Sequence, residues 1–235
     1  KLIEHAELTI NLDEASTRDL AIRIYDLIRF ENAAYAKRYL DTIKLIFNRD
    51  TNEHQFAATK AAIWFLHKVM AIKDEVYVAD LLTREEKYER DAKRYGVDRS
   101  RGDRILYHHI NRPRFELGTI LGLKIPIIEF DFHARDWQLR LMRRAKILRR
   151  LLPQWHAEEK AFRDWYLQLI QSFGYQNKEQ YNLWLDILRA PDAVTGYREV
   201  RYPKMDAARK KVREWLDYLK ADTKIRPEMA KSGRW

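Results

Sequence analysis

Cysteine is absent from the 235 residues. The chain therefore offers no disulfide, no thiolate ligand for zinc or an iron–sulfur cluster, and no thiol nucleophile. Glycine and proline are scarce, at 7 and 6 residues, too few for the closely spaced tight turns of a β-sandwich or barrel. No apolar run approaches the roughly 20 residues that cross a membrane as a helix, and no signal-like apolar region follows a basic start. The expected setting is aqueous and cytoplasmic, with no membrane span. Also missing are a glycine-rich phosphate loop, a GxSxG nucleophile elbow and an HExxH metal helix. The sequence thus carries none of the common catalytic signatures.

What the chain has instead is apolar residues set in long amphipathic stretches. Hydrophobic residues make up 46%, with 7 Trp and 13 Tyr, enough to fill a sizeable core. Apolar positions recur at helical spacing between charged ones, so the expected fold is mainly α, a multi-helix bundle forming a single helical domain over residues 1–235. The opening Lys1, in place of Met, reads as the start of a domain excised from a longer polypeptide.

The formal net charge of +10 is local. Residues 1–103 hold 18 basic and 19 acidic side chains, and residues 153–200 hold 5 and 7. Residues 104–152 hold 11 against 4, and residues 201–235 hold 11 against 5. These two segments carry the whole imbalance and are where a partner of opposite charge is to be sought.

The spacing predicts a first helix from Ser16 and Thr17, as caps, to about Phe47, because Leu20, Ile24, Leu27, Ile28, Tyr35, Tyr39, Ile43 and Ile46 recur at helical spacing. A second helix, from about His54 to Ile72, holds few charges and is expected to be the most central. Lys73, Asp74 and Glu75 interrupt the pattern. A short helix over Val76 to Leu82 follows, then a charged one over Arg84 to Tyr95, capped by Thr83 and stopped by Gly96. Gly102, Pro113, Gly118, Gly122 and Pro126 punctuate the next stretch, and Ile128, Phe130 and Phe132 alternate with acids. That pattern predicts a small irregular or two-stranded extended segment near residues 104–132. Further helices are expected at about 135–152, 154–173 and 178–189. The last should run from Pro203 to about Ala221, with Met205, Ala208, Val212, Trp215, Leu216 and Leu219 inward and a loose tail after Pro227.

Several groups of residues invite a functional reading. A helix over 135–152 would place Trp137, Leu141, Ala145, Leu148 and Leu152 on one side and Arg140, Arg143, Lys146, Arg149 and Arg150 on the other. Such a basic strip is a candidate interface for an acidic protein, for phosphates or for another subunit, and is otherwise a solvated face. His108 and His109 are neighbours that a strand would point to opposite sides, so they and His133 do not readily share one ion. His156 and Glu159 resemble half of a di-iron site but lack a second half. Lys73, Asp74 and Glu75 suit helix capping or ion pairing between helices better than acid–base chemistry, because nothing supplies a matching nucleophile. No catalytic, cofactor-binding or metal-binding residue is expected in this segment.

Three stretches resemble the C-terminal helical region of the indolepyruvate ferredoxin oxidoreductase family. They are Asn32-Ala-Ala-Tyr-Ala-Lys-Arg-Tyr39, Leu66-His-Lys-Val-Met-Ala-Ile-Lys-Asp-Glu-Val-Tyr-Val-Ala-Asp-Leu81 and Arg135-Asp-Trp-Gln-Leu-Arg-Leu-Met142. The second is the most specific, and it contributes His67, Lys68, Lys73, Asp74 and Glu75 as family-motif residues. The resemblance covers roughly residues 18–200. It implies the C-terminal part of a beta-type subunit, packed on a 2-oxoacid oxidoreductase gamma-type domain of the same chain and on other subunits. The parent complex would use thiamine diphosphate and iron–sulfur clusters to oxidise arylpyruvates and pass electrons to ferredoxin. None of those cofactor sites maps onto this chain, which leaves it an accessory role.

A second expectation, from a different class, is a helical nucleic-acid-binding module that uses the basic strip together with Lys204, Arg209, Lys210 and Arg213. The lack of a recognisable binding motif and the neutral first half weigh against it.

Overall fold

The computed structural model describes residues 1–105, 107, 109–111, 114–115, 119–120, 123–124, 128–129, 132–196 and 198–231. The fold is mainly α, a multi-helix bundle: α1 Leu2–Thr9, α2 Glu14–Phe30, α3 Ala33–Phe47, α4 Ala57–Met70, α5 Glu75–Leu82, α6 Glu85–Tyr95, α7 Asp136–Met142, α8 Leu148–Leu151, α9 Ala157–Gln171, α10 Lys178–Arg189 and α11 Tyr202–Lys231. The chain divides into two compact units, Lys1–Ala71 with Glu158–Trp235, and Ile72–Ala157. No helix among the described residues is long and apolar enough to cross a membrane.

In the first unit, α2 begins at Asp13, whose carboxylate accepts the Ser16 N–H at 3.0 Å. Ser16 and Thr17 are therefore inside the helix and not its caps. The expected single helix to Phe47 is divided at Asn32, where the backbone is extended and the side chain accepts the Tyr35 N–H at 2.9 Å. Asn prefers this capping role to a helix interior. The second helix starts at Ala57 rather than His54, because Gln55 and Phe56 both take left-handed φ of 52°.

Asp50 then serves the N-terminus of α4 from outside it, accepting the Thr59 N–H at 2.9 Å and its hydroxyl at 2.8 Å. As expected, α4 is central: it packs against α2, α3 and α10 and buries Ala58, Ala62, Ile63, Leu66, Val69 and Met70. Leu20, Ile24, Leu27, Leu40, Ile43 and Ile46 close the core from α2 and α3, each such side chain contributing about 1.5–3 kcal/mol on burial. Two fully buried tyrosines place their hydroxyls on backbone carbonyls, Tyr39 on Ile63 at 2.8 Å and Tyr166 on Leu188 at 2.5 Å. In α11, Met205, Ala208, Val212 and Leu219 are buried as expected while Trp215 and Leu216 are only half-buried, and the helix runs past Ala221 and Pro227 to Lys231. The loose tail expected after Pro227 is helical to that point.

In the second unit, α5 packs on α7 around Ala79, Ala134 and Leu139, with Leu82 and Met142 beside them. Gly96, at φ +61°, ends α6 in the left-handed conformation that glycine adopts without strain. Within the extended segment expected near 104–132 the described residues form short antiparallel ladders, and the rest of that expectation lies outside the described residues. His109–Asn111 (β1) pairs with Phe132–Ala134 (β6), Arg114–Phe115 (β2) with Ile128–Glu129 (β5), and Thr119–Ile120 (β3) with Leu123–Lys124 (β4). All three ladders keep the same register.

The predicted helix over 135–152 is broken. Helix α7 stops at Met142, residues 143–147 turn, and α8 is a separate short piece. Residues six apart on a continuous helix are rotated by about 120° from one another. Arg143 and Arg149 could then not both reach the same neighbouring helix, and both do reach α5.

Candidate functional site

Helix α5 is held at both ends by arginines of the predicted basic strip. At its N-terminus Asp74 accepts the Tyr77 N–H at 2.7 Å, forming the cap. Arg149 closes on the same carboxylate with Nε to Oδ2 at 2.6 Å and Nη2 to Oδ1 at 2.9 Å. At the C-terminal end Arg143 donates to the Thr83 carbonyl at 3.0 Å and lies 3.3 Å from its hydroxyl. Thr83 does not cap α6. Its hydroxyl donates back to the Ala79 carbonyl at 2.7 Å. An acid at the helix start and a guanidinium at its end both suit the helix dipole.

Glu75, in the first turn of α5, faces His156, with Oε2 and Nε2 3.1 Å apart. His156 has a left-handed φ of 56° and precedes α9, so it is not on a helix with Glu159. The three-residue helical spacing of a di-iron half-site is therefore not formed. Glu159 instead lies 3.4 Å from the Tyr202 hydroxyl. Trp155, nearly fully buried, packs beside the His156 ring at 5.2 Å between centroids.

Of the remaining strip, Arg140 is exposed and sits over the Tyr88 ring at 5.6 Å. Tyr88 in turn donates to Asp136 at 2.7 Å. Lys146 is half-buried, and Arg150 and Lys73 are exposed. The strip expected on one helix face is thus two internal anchors, Arg143 and Arg149, with Arg140 and Arg150 at the surface.

Beyond Tyr88, Asp91 accepts from Lys87 at 2.9 Å and from the Tyr107 hydroxyl at 3.1 Å. The Lys87 hydrogen bond, ahead of the Tyr107 one, holds the Asp91 carboxyl below its ordinary value. Desolvation, then the neighbouring Asp91, pushes Tyr107 up to about 12.

The other half of the most specific motif lies in the first unit. His67 Nε2 is 2.8 Å from Asp26 Oδ2, a carboxylate 7% exposed. Lys68 donates to the Asp192 carbonyl at 2.8 Å and is 3.6 Å from its carboxylate. Beside them Arg23, only 6% exposed, lies over the Trp64 ring at 3.5 Å and donates to the Asp19 carbonyl at 2.7 Å. Sequence reasoning missed Asp26 and Arg23. The available signal was their place three apart on the face of α2 that also carries Leu20, Ile24 and Leu27.

Among the described residues no group of three or more His, Asp or Glu side chains could hold a metal ion. His108 lies outside the described residues; His109 pairs with Ala134 and His133 with Ile110 in the β1–β6 ladder. The motif residues His67, Lys68, Asp74 and Glu75 are each bound into contacts that hold helices together within their own unit.

A family model described as a family of unknown function, DUF6537, matches residues 17–214. No curated protein and no solved structure matches the chain.

Proposed function

We propose a function for this chain, which belongs to the DUF6537 family: it is a helical accessory domain of a 2-oxoacid oxidoreductase, the C-terminal part of an indolepyruvate:ferredoxin-type beta subunit. In this role it packs on a gamma-type domain and on other subunits in the cytoplasm, helps the complex assemble, and contributes no catalytic residue. The resemblance of the stretches 32–39, 66–81 and 135–142 motivates the assignment. One observation carries the non-catalytic part of it: Asp74, the buried carboxylate of the most specific motif, is spent on capping α5 and on a two-point pair with Arg149.

Thiamine diphosphate and the iron–sulfur clusters of such an enzyme belong to the parent complex. The donor set here does not fit a cluster, since the chain has no cysteine to ligate iron. Ferredoxin is the electron acceptor this reading implies.

The test has two parts. The coding region around this chain is expected to encode a gamma-type oxidoreductase domain in the same polypeptide, and its absence sinks the proposal. Deleting residues 1–235 from the purified complex should then lower assembly, followed by mass photometry, more than it lowers arylpyruvate-dependent ferredoxin reduction per assembled particle. A deletion that leaves assembly intact and abolishes turnover would place a catalytic group in this chain instead.

A further inference from the structure

The solvent side of α7 and α8 is apolar and cationic together. Trp137 is 61% exposed, Leu141 64%, Ile147 61% and Leu151 65%. Among the described residues, four of the eleven exposed large hydrophobic side chains therefore fall between positions 137 and 151. Trp137 and Leu141 are four apart and share one side of α7, Arg140 sits three positions beyond Trp137 beside them, and the exposed Arg144 follows in the turn just past the end of α7. Ile147 and Leu151 are again four apart, with the exposed Arg150 beside them. The opposite side of α7 is already used, because Leu139 and Met142 pack against Ala79, Ala134 and Leu82. Residues 135–152 carry seven basic side chains and one acid, Asp136, which accepts from Tyr88.

We propose that this face is a docking surface for an acidic protein, one whose apolar side chains are rimmed by Asp and Glu carboxylates. Exposed tryptophan and arginine are the residues that dominate interface energies. Guanidinium groups bind carboxylates in a two-point geometry that lysine lacks. Arg140 is preordered by its place over Tyr88, and the internal anchors Arg143 and Arg149 fix the pieces of chain that carry the surface.

Other occupants fit less well. Helix α7 has seven residues and α8 four, so there is no continuous amphipathic helix of the sort that lies in a membrane interface. Phosphate backbones reward the arginines but not four large apolar neighbours. A second copy would bring like charges together. The inference needs only these side chains and their charge, and it stands or falls apart from the oxidoreductase reading.

The experiment is photo-crosslinking from benzoylphenylalanine substituted at Trp137 or at Leu151 of the full protein in its own cells, with Tyr95 as an exposed control. Cross-linked peptides are mapped by mass spectrometry. The expected result is one protein captured from positions 137 and 151 but not 95, through a peptide flanked by Asp or Glu. Arg140→Glu/Arg144→Glu should weaken its purified complex by about tenfold or more, since like charges meet across the interface, and Lys substitutions at the flanking acids should restore it. If the double reversal does not fold by circular dichroism, Arg140→Gln/Arg144→Gln gives the same reading with a smaller loss. The proposal is overturned by cross-links only to copies of this chain or to nucleic acid, by yields at 137 and 151 no higher than at 95, or by a captured peptide without acids. It is equally overturned if the protein binds phosphatidylserine–phosphatidylcholine vesicles and Trp137→Ser abolishes that binding.

Discussion

Arg149 grips Asp74 at both carboxylate oxygens, 2.6 and 2.9 Å away, while Asp74 also accepts the Tyr77 N–H that starts α5. Their side chains are only 9% and 3% exposed. A buried pair of this kind is worth little against a well-packed apolar pair, but removing one partner strands a buried charge at a cost of about 3–5 kcal/mol. Arg149→Ala should therefore lower urea stability by that amount. Arg149→Lys should recover only part of it, because an ammonium cannot reproduce the fork. A loss below about 1 kcal/mol for Arg149→Ala would mean the pair is solvated.

Asp50 makes a comparable prediction in the other unit. Its carboxylate accepts from Thr51 N–H, Thr59 N–H, the Thr59 hydroxyl and the Tyr181 hydroxyl, all between 2.8 and 3.0 Å. Asp50→Ala leaves these donors without an acceptor, at about 1–3 kcal/mol for each that stays buried. The expected total is about 3 kcal/mol or more. Thermal unfolding of Asp50→Ala beside Asp41→Ala, an exposed acid paired with Lys37 at 2.6 Å, separates this from a generic charge effect.

Local signals in the sequence explain most of what was legible. Helix α10 occupies 178–189 as predicted, begun by Asn177 accepting the Gln180 N–H at 2.9 Å, and Gly96 stops α6 in the left-handed conformation. The division at Asn32 had a local signal too, but the apolar period keeps its phase on both sides and hides it. The break between α7 and α8 had none. It depends on Arg143 meeting Thr83 and Arg149 meeting Asp74, partners 60 and 75 positions away. The same holds for the site: Asp74 and Glu75 sit where a cap is expected, whereas which arginine or histidine answers them is decided by tertiary packing.

The pH limits of stability follow from carboxylates and tyrosines. Asp91 has its folded value lowered, chiefly by Lys87, so the folded state binds that proton more weakly than the unfolded chain. Its contribution is complete above the ordinary value of 3.8 and is lost as pH falls through the lowered one. Burial raises Tyr39 and Tyr166 above 10. The folded state then keeps protons that the unfolded chain releases, so their contribution is complete below pH 10 and declines as pH rises further. Ultraviolet titration should show tyrosinate appearing in a cooperative step together with loss of helical circular dichroism. Lys87→Met should flatten the acid limb and leave the alkaline one unchanged.

Leu139 and Leu141, two positions apart, should respond oppositely to substitution, and the contrast tests how α7 is oriented. Helical spacing across a continuous 135–152 segment puts Trp137 and Leu141 inward, yet Leu139 is 6% exposed and Leu141 64%. Leu139 packs in a small satellite cluster with Ala79 and Ala134, so Leu139→Ala should cost about 2 kcal/mol, the low end for deleting a buried leucine. Leu141→Ser and Trp137→Ser remove exposed side chains and should shift stability by no more than about 0.5 kcal/mol. Denaturant unfolding of the three variants ranks them directly. If Leu141→Ser or Trp137→Ser is the costly change, that face is covered within the protein itself, and the surface assigned to an acidic partner is part of the core.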